Sequence, residues 1–320
     1  MTHILLIFLD GIGLGDDDPA TNPFAAAHTP TLDALAGGHR WLRTTPRLDT
    51  GRALFIPTDP RLAVPGRPQS ATGQAAILTG RNVPREIGEH YGPRPNPAVR
   101  AILDQDNLFK RLVAMGHDAA AVDAYPPRFF EAINRGKRLP SSMQHAVLSA
   151  GLRLFDENDV YAGAGLSVDW TGEGWREELG YADTPLYERA EAGTLLARLA
   201  QQRRFTLFSH WVTDVVGHRG PFERGVALLE LFDGVMAGLL DAWDDARGLV
   251  IVTSDHGGHD QTHGTDRPED MTTPVILSGP GIPAGVTIQR PVQITDLAPT
   301  IARLLGVPAP GEWIGSPLVF

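Results

Sequence analysis

The stretch GLVIVTSDHGG, residues 248–258, decides how the rest of the chain is read. The run Gly248 to Thr253 spells a buried strand. It empties directly into Ser254-Asp255-His256-Gly257, and a second imidazole returns in the same loop at His263-Gly264. A strand end that presents a carboxylate and two imidazoles is the pattern of a metal site, because these are the N and O donors that divalent cations take.

Working outward, the same strand-then-acid pattern recurs. His3 to Leu9 reads as a strand closed by Asp10-Gly11, and Phe205 to Ser209 as a strand followed by a loop carrying Asp214 and His218. Ser70 precedes a small-residue helix, Ala71 to Thr79, stopped by Gly80. Further helices are expected at Asn107 to Met115, Leu186 to Gln202, Phe222 to Trp243 and Thr295 to Leu305, with strands at Ala53 to Ile56, Ala119 to Asp123 and Pro274 to Ser278. Strands alternating with helices predict an α/β layer architecture with a largely parallel sheet. Ligands in such folds gather beyond the carboxyl ends of strands, where Asp10, Asp214, Asp255 and His256 all fall. From Tyr125 to about Tyr187 the periodicity degrades, and residues 125–200 read as a cap or elaborated loop region within a single 1–320 catalytic domain.

Bulk properties narrow the function classes. The chain of 320 residues has no cysteine, so disulfides and sulfur-ligated metal are excluded and any ion must sit on Asp, Glu and His. A formal charge of -10 argues against a dedicated nucleic-acid surface, while leaving small phosphorylated substrates open. The apolar run Ile4 to Leu9 is too brief for a signal peptide or a membrane span, which makes the cytoplasm the default expectation and gives no reason to expect membrane association. Nothing in the sequence bears on oligomeric state.

Six N/O donors, Asp10, Asp214, His218, Asp255, His256 and His263, suit two divalent cations of the zinc or manganese kind, and such pairs clamp phosphoryl groups. Asp214 and His218 lie four apart, a spacing that lets both face one ion. Asp255 and His256 are neighbours, and neighbours in an extended segment point to opposite sides, which suits two ions better than one. Ser70, at a helix N-terminus, sees unpaired N–H groups and the positive end of the helix dipole, both favourable to an alkoxide and a bound phosphate. Thr72 is its local rival. Arg81, Arg128, His210 and Arg219 are candidate substrate contacts, and His259 is expected to stay outside the ligand set. Trp170 and Trp175 either stack a substrate ring or anchor local packing.

Together, Phe8-Leu9-Asp10-Gly11, Ser70 through Arg81, Asp214-Val-Val-Gly-His218, Thr253 through Gly257, His263-Gly264 and Thr295 through Thr300 resemble the alkaline phosphatase superfamily. Within it the motifs are most similar to the group of cofactor-independent phosphoglycerate mutase and phosphopentomutase, and to the type I phosphodiesterase/nucleotide pyrophosphatase group. The resemblance implies a three-layer sandwich with a small cap insertion, and Ser70, not Thr72, as nucleophile. It also implies one ion on Asp214, His218 and His263, and another on Asp10, Asp255, His256 and the Ser70 oxygen. Two departures favour hydrolysis of phosphate mono- or diesters over a cytoplasmic phosphomutase. Gln74 stands where the mutases carry a histidine, and the middle segment is short. The sulfatase pattern of a modifiable residue followed by Pro and Arg is missing from Ser70-Ala71-Thr72-Gly73. A non-catalytic binding protein of the same fold is the remaining alternative.

Overall fold

Every side chain of the first strand is buried, and alternate ones enter opposite cores, so this strand must run through the middle of a covered sheet. The computed structural model describes residues 3–257, 270–279, 288 and 290–318. Its strands are β1 (His3–Leu9), β2 (Leu48–Asp49), β3 (Ala53–Thr58), β4 (Ala119–Ala121), β5 (Asp123–Ala124), β6 (Leu166–Ser167), β7 (Phe205–His210), β8 (Gly248–Thr253) and β9 (Thr273–Ser278). Seven of them form one sheet in the order β2-β3-β9-β8-β1-β7-β4, while β5 and β6 pair apart. From β8 through β1 and β7 to β4 all neighbours are parallel. The β9, β3 and β2 side is joined antiparallel. The largely parallel sheet expected from the sequence is therefore a parallel half carrying an antiparallel edge.

Two helical layers sandwich this sheet. Ile4, Leu6 and Phe8 face one core with Ala75 to Leu78 and the C-terminal helix Leu297–Leu305. Leu5, Ile7 and Leu9 face the other, built on the helices Arg189–Gln201 and Phe222–Ala242. These last two approach so closely that a Cβ on Gly193 would lie 1.9 Å from the Val235 carbonyl oxygen. Among the described residues no helix is long and apolar enough to cross a membrane.

Two local expectations change. The Asp214 segment is a helix, Val212–Arg219, not a loop. The stretch after Tyr125 holds the helices Pro127–Asn134, Ser142–Ser149, Glu157–Tyr161 and Glu173–Glu177. Their short lengths, separated by Pro and Gly, hide the helical period. One of them is structural to the site's support: the Ser142 hydroxyl donates to the Ala71 carbonyl at 2.7 Å, and Met143, Ala146 and Val147 pack in the first core. The expected strand Ala119 to Asp123 is split, because Asp123 leaves the main sheet for β5.

Gly193→Ala is expected to lower the unfolding midpoint by an overpacking penalty of about 1–3 kcal/mol, read by chemical denaturation. A second prediction concerns Asp123, whose carboxylate accepts from the Tyr125 hydroxyl at 2.5 Å and the Ser209 amide at 3.2 Å. Burial pushes its pKa from an ordinary 3.8 to about 7. The folded state holds a proton that the unfolded chain releases, so this group's contribution is full below pH 3.8 and is lost as pH rises towards 7. Comparing Asp123→Asn with the parent protein, denaturation midpoints should show a flatter decline across that window in the variant.

Candidate active site

The carboxyl ends of β1, β7 and β8 are adjacent in the sheet, and each delivers an acid to one place. Asp10 follows β1, Asp255 follows β8, and Asp214 sits in the first turn of the helix after β7. Backbone ties hold these ends together. The Asp10 amide donates to the His210 carbonyl at 2.9 Å, the Thr213 hydroxyl to the Asp10 carbonyl at 2.6 Å, and the Ile12 amide to the Ser254 hydroxyl at 2.9 Å.

One ligand atom each from Asp10, Asp214 and His256 lie within 4.8 Å of one another. The Nε2 atom of His256 is 3.4 Å from Asp10 Oδ1, 3.8 Å from Asp255 Oδ1 and 4.0 Å from Asp214 Oδ1. Asp255 and His256 thus face the same cluster and not opposite sides. The extended geometry ends at Thr253, and the chain bends at both residues. The His218 Nε2 is 3.0 Å from Asp214 Oδ1, one helical turn away. The tight group joins Asp214 to Asp10 and His256, which the two-ion division inferred from the motifs had kept apart. His263 and His259 lie outside the described residues.

Ser70 enters this cluster from the other side, its Oγ 2.9 Å from His256 Nε2 and the side chain buried. It is the first residue of the helix Ser70–Thr79, and Gln69 is the cap, with extended backbone and its carbonyl accepting from the Gly73 amide at 2.9 Å. The Ser70 hydroxyl is thereby spared from capping. Thr72 is occupied elsewhere, its hydroxyl donating to the Gln69 carbonyl at 3.1 Å. The helix approaches β8 so closely that a Cβ on Gly73 would lie 2.7 Å from that of Asp255.

The electrostatics of the cluster call for a cation. Burial raises the pKa of Asp10, with Asp214 adding repulsion, while His256 and the Arg94 charge pull it back. Burial, followed by the charges of Asp10 and Asp214, drives Asp255 well above the carboxylate range. His256 is disfavoured as a cation by burial, yet Asp255, Asp10 and Asp214 outweigh that and raise it well above an ordinary histidine. Asp255 Oδ2 is buried with no hydrogen-bond partner among the described residues. The His256 Nδ1 lies 2.9 Å from the Gly257 carbonyl, so in the neutral ring Nδ1 carries the hydrogen and Nε2 keeps its lone pair for the cluster. An orphaned carboxylate oxygen among imidazoles and acids fits a divalent cation.

The candidate substrate contacts separate clearly. Arg81 lies beyond the far end of the Ser70 helix, roughly 15 Å along its axis at 1.5 Å per residue, where Glu86 pairs with its charge and the Gln105 carbonyl accepts a further hydrogen bond. His210 is a core imidazole. It stacks on Trp170 at 3.9 Å with Nδ1 2.5 Å from the Val168 carbonyl, and burial holds its pKa down at about 4. Neither residue is placed to hold substrate. Arg219 is exposed at the end of its helix, and Arg128 lines a cavity of about 720 Å³. Trp170 packs between Phe208 and Phe232 in the core, whereas Trp175 lines that cavity.

Gln74 is the residue whose role the motifs obscured. Its amide donates to Asp10 Oδ2 at 3.0 Å and its carbonyl accepts from the Met143 amide at 3.4 Å, so it orients the carboxylate from the same helix face as Ser70. The four-residue spacing was the available signal. Arg94, which acts on Asp10 by charge, sits in a Pro-rich stretch with no pattern to mark it. Gln74→Ala is expected to weaken divalent-ion affinity about 10–100-fold, the usual effect of losing a hydrogen bond to a ligating group, as measured by calorimetric metal titration.

Residues 188–309 match the family model described as the Metalloenzyme superfamily. The 2,3-bisphosphoglycerate-independent phosphoglycerate mutase of Ruegeria pomeroyi is 36% identical over 110 residues, covering 33% of this chain and 22% of that protein. The chain thus aligns with about a fifth of that relative's length. Among solved structures, a phosphonate monoester hydrolase from Silicibacter pomeroyi superposes with a TM-score of 0.53 at 16% identity, over 99% of this chain and 76% of that one. A protein in the alkaline phosphatase superfamily from Vibrio parahaemolyticus gives 0.52 at 12% identity, over 99% and 69%. The shared feature is the alkaline-phosphatase-like fold.

Proposed function

We propose that this metalloenzyme, of the alkaline phosphatase superfamily in its fold and motifs, transfers phosphoryl groups through Ser70 and hydrolyses phosphate mono- or diesters of small molecules. The observation that carries the reading is the 2.9 Å approach of Ser70 Oγ to His256 Nε2 in a cluster with three carboxylates, Asp10 and Asp255 buried and Asp214 half-buried. Asp10, Asp214, His218, Asp255 and His256 would hold divalent ions, two of the zinc or manganese kind with His263 completing the set, and when bound these supply positive charge to the attacking and leaving oxygens.

The chain's own contribution is placement. Ser70 opens a helix whose N-terminal dipole favours negative charge on its oxygen and on an arriving phosphate. Its Oγ forms a bond to phosphorus as the ester oxygen departs with the electron pair and takes a proton, leaving phosphoserine. Water then forms the new P–O bond, the P–Oγ bond breaks, and Ser70 recovers its proton. Gln74 keeps Asp10 oriented throughout.

A phosphomutase is the second reading, favoured by the names of the aligned relatives. In that case the phosphoserine returns its phosphoryl group to another hydroxyl in place of water. Ser70→Ala should lose at least about 10³-fold in turnover while retaining metal content near that of the parent, as measured by phosphate release and elemental analysis. Retained activity would remove Ser70 from the chemistry. Chelation should abolish release from a panel of phosphomonoesters and diesters, and resupply of zinc or manganese should restore it. Isomerisation of a sugar phosphate or phosphoglycerate without release would select the mutase.

A further inference from the structure

The cavity of about 720 Å³ falls within the range of 300–1,000 Å³ typical of small-molecule sites, and is far larger than a three-carbon phosphoacid requires. Its position follows from the sheet order. Trp211, directly after β7, and Tyr125, directly after β5, line its inner edge. With β7 beside β1 and strands about 4.8 Å apart, Trp211 emerges roughly 5 Å from the Asp10 strand end, and Tyr125 follows β5, whose Asp123 carboxylate accepts from the Ser209 amide of β7. The helix that contributes Asp214 and His218 to the cluster turns Val212 and Val216 towards the cavity. Arg94 bridges the two regions by charge, acting on Asp10 on one side and on Arg138 of the cavity wall on the other.

The lining has a definite chemistry. Four guanidinium groups are matched by four carboxylates, and one of each, Arg224 and Glu178, are paired at 2.5 Å. The wall is electrically balanced, unlike a subsite for a second phosphate or a carboxylate. Aromatic rings from Tyr125, Phe129, Trp175 and Trp211 form much of the remainder. Among the described residues, Trp175 Nε1, Trp211 Nε1, Arg138 Nε and Asp169 Oδ1 have no hydrogen-bond partner, and these atoms are buried behind the cavity wall. Trp175 itself is only 2% exposed. The recognition surface that the cavity offers is therefore aromatic and apolar, set between charges that offset one another.

Resting on the phosphoryl-transfer reading, we propose that this cavity receives the alcohol part of the substrate, and that this part is bulky, uncharged and ring-bearing. The phosphate lies at Ser70, and the ring body extends past Trp211 into the aromatic wall. The segment after Tyr125 then sets specificity by accepting a planar group.

Calorimetric binding to the Ser70→Ala protein tests this without turnover, using methylumbelliferyl phosphate, whose body is uncharged and bicyclic, against glycerol phosphate. The first should bind at least about tenfold tighter, roughly the effect of burying one to two further methylene-equivalents of apolar surface. Adding Ala227→Phe, which fills the cavity from the helix Phe222–Ala242, should erase that ratio, with an unchanged unfolding midpoint as the folding control. Equal affinities, no binding of either compound, or a ratio that survives Ala227→Phe would overturn the proposal. If methylumbelliferyl phosphate binds as expected while the parent protein neither releases phosphate from any ester nor isomerises a sugar phosphate or phosphoglycerate, the phosphoryl-transfer reading fails and the cavity assignment stands.

Discussion

Three carboxylates gathered where adjacent strands end, Asp10 and Asp255 buried and Asp214 half-buried in the helix after β7, are the constraint on which this structure depends. Like charges about 4.8 Å apart in a medium of effective dielectric near 20 repel by roughly 3–4 kcal/mol, and burial adds the loss of hydration. One imidazole, His256, sits among all three and cannot neutralise them. The fold nevertheless spends its most buried region on bringing them together. The parallel register of β8, β1 and β7 puts their ends level, and ties from Ile12 to Ser254 and from Thr213 to Asp10 keep them so. Such an arrangement is sensible only as a receptacle for positive charge.

The Ser70 helix answers to the same constraint. Its positive N-terminal end points into the acidic cluster, and a glycine at position 73 lets it come against Asp255. Its side chains are small, so it is buried along its whole length between the sheet and the Ser142–Ser149 helix. The proposed nucleophile, the carboxylate positioner and the close-packing glycine thus lie on one rigid element. A site carried on such elements holds its geometry better than one carried on loops.

Much of this was legible in the sequence because the site sits where regular elements end. Strands β1, β7 and β8 announce themselves by continuous apolar runs, and Asp10, Asp255 and His256 follow two of those runs immediately. Asp214 and His218 were found by spacing, although the helix carrying them was read as a loop, since Val212 to Arg219 is short and mixes Gly, Asp and β-branched residues. The facing of Asp255 and His256 was misread because a bend after Thr253 breaks the alternation that a strand would impose. The cavity left no trace, since its lining is scattered between residues 125 and 231 over several helices and turns, and only folding brings Tyr125, Trp175 and Trp211 together. Arg81 looked like a phosphate clamp by proximity to the Ser70 motif, but the length of the Ser70–Thr79 helix separates the two and Glu86 takes its charge.

Mass spectrometry of the metal-loaded protein, acid-quenched during turnover of a phosphate ester, tests the central claim most directly. Phosphoryl transfer through the buried serine requires a phosphorylated peptide containing Ser70, with the group on that residue. Steady turnover with no phosphorylated peptide, or with the phosphoryl group on another side chain, would contradict it.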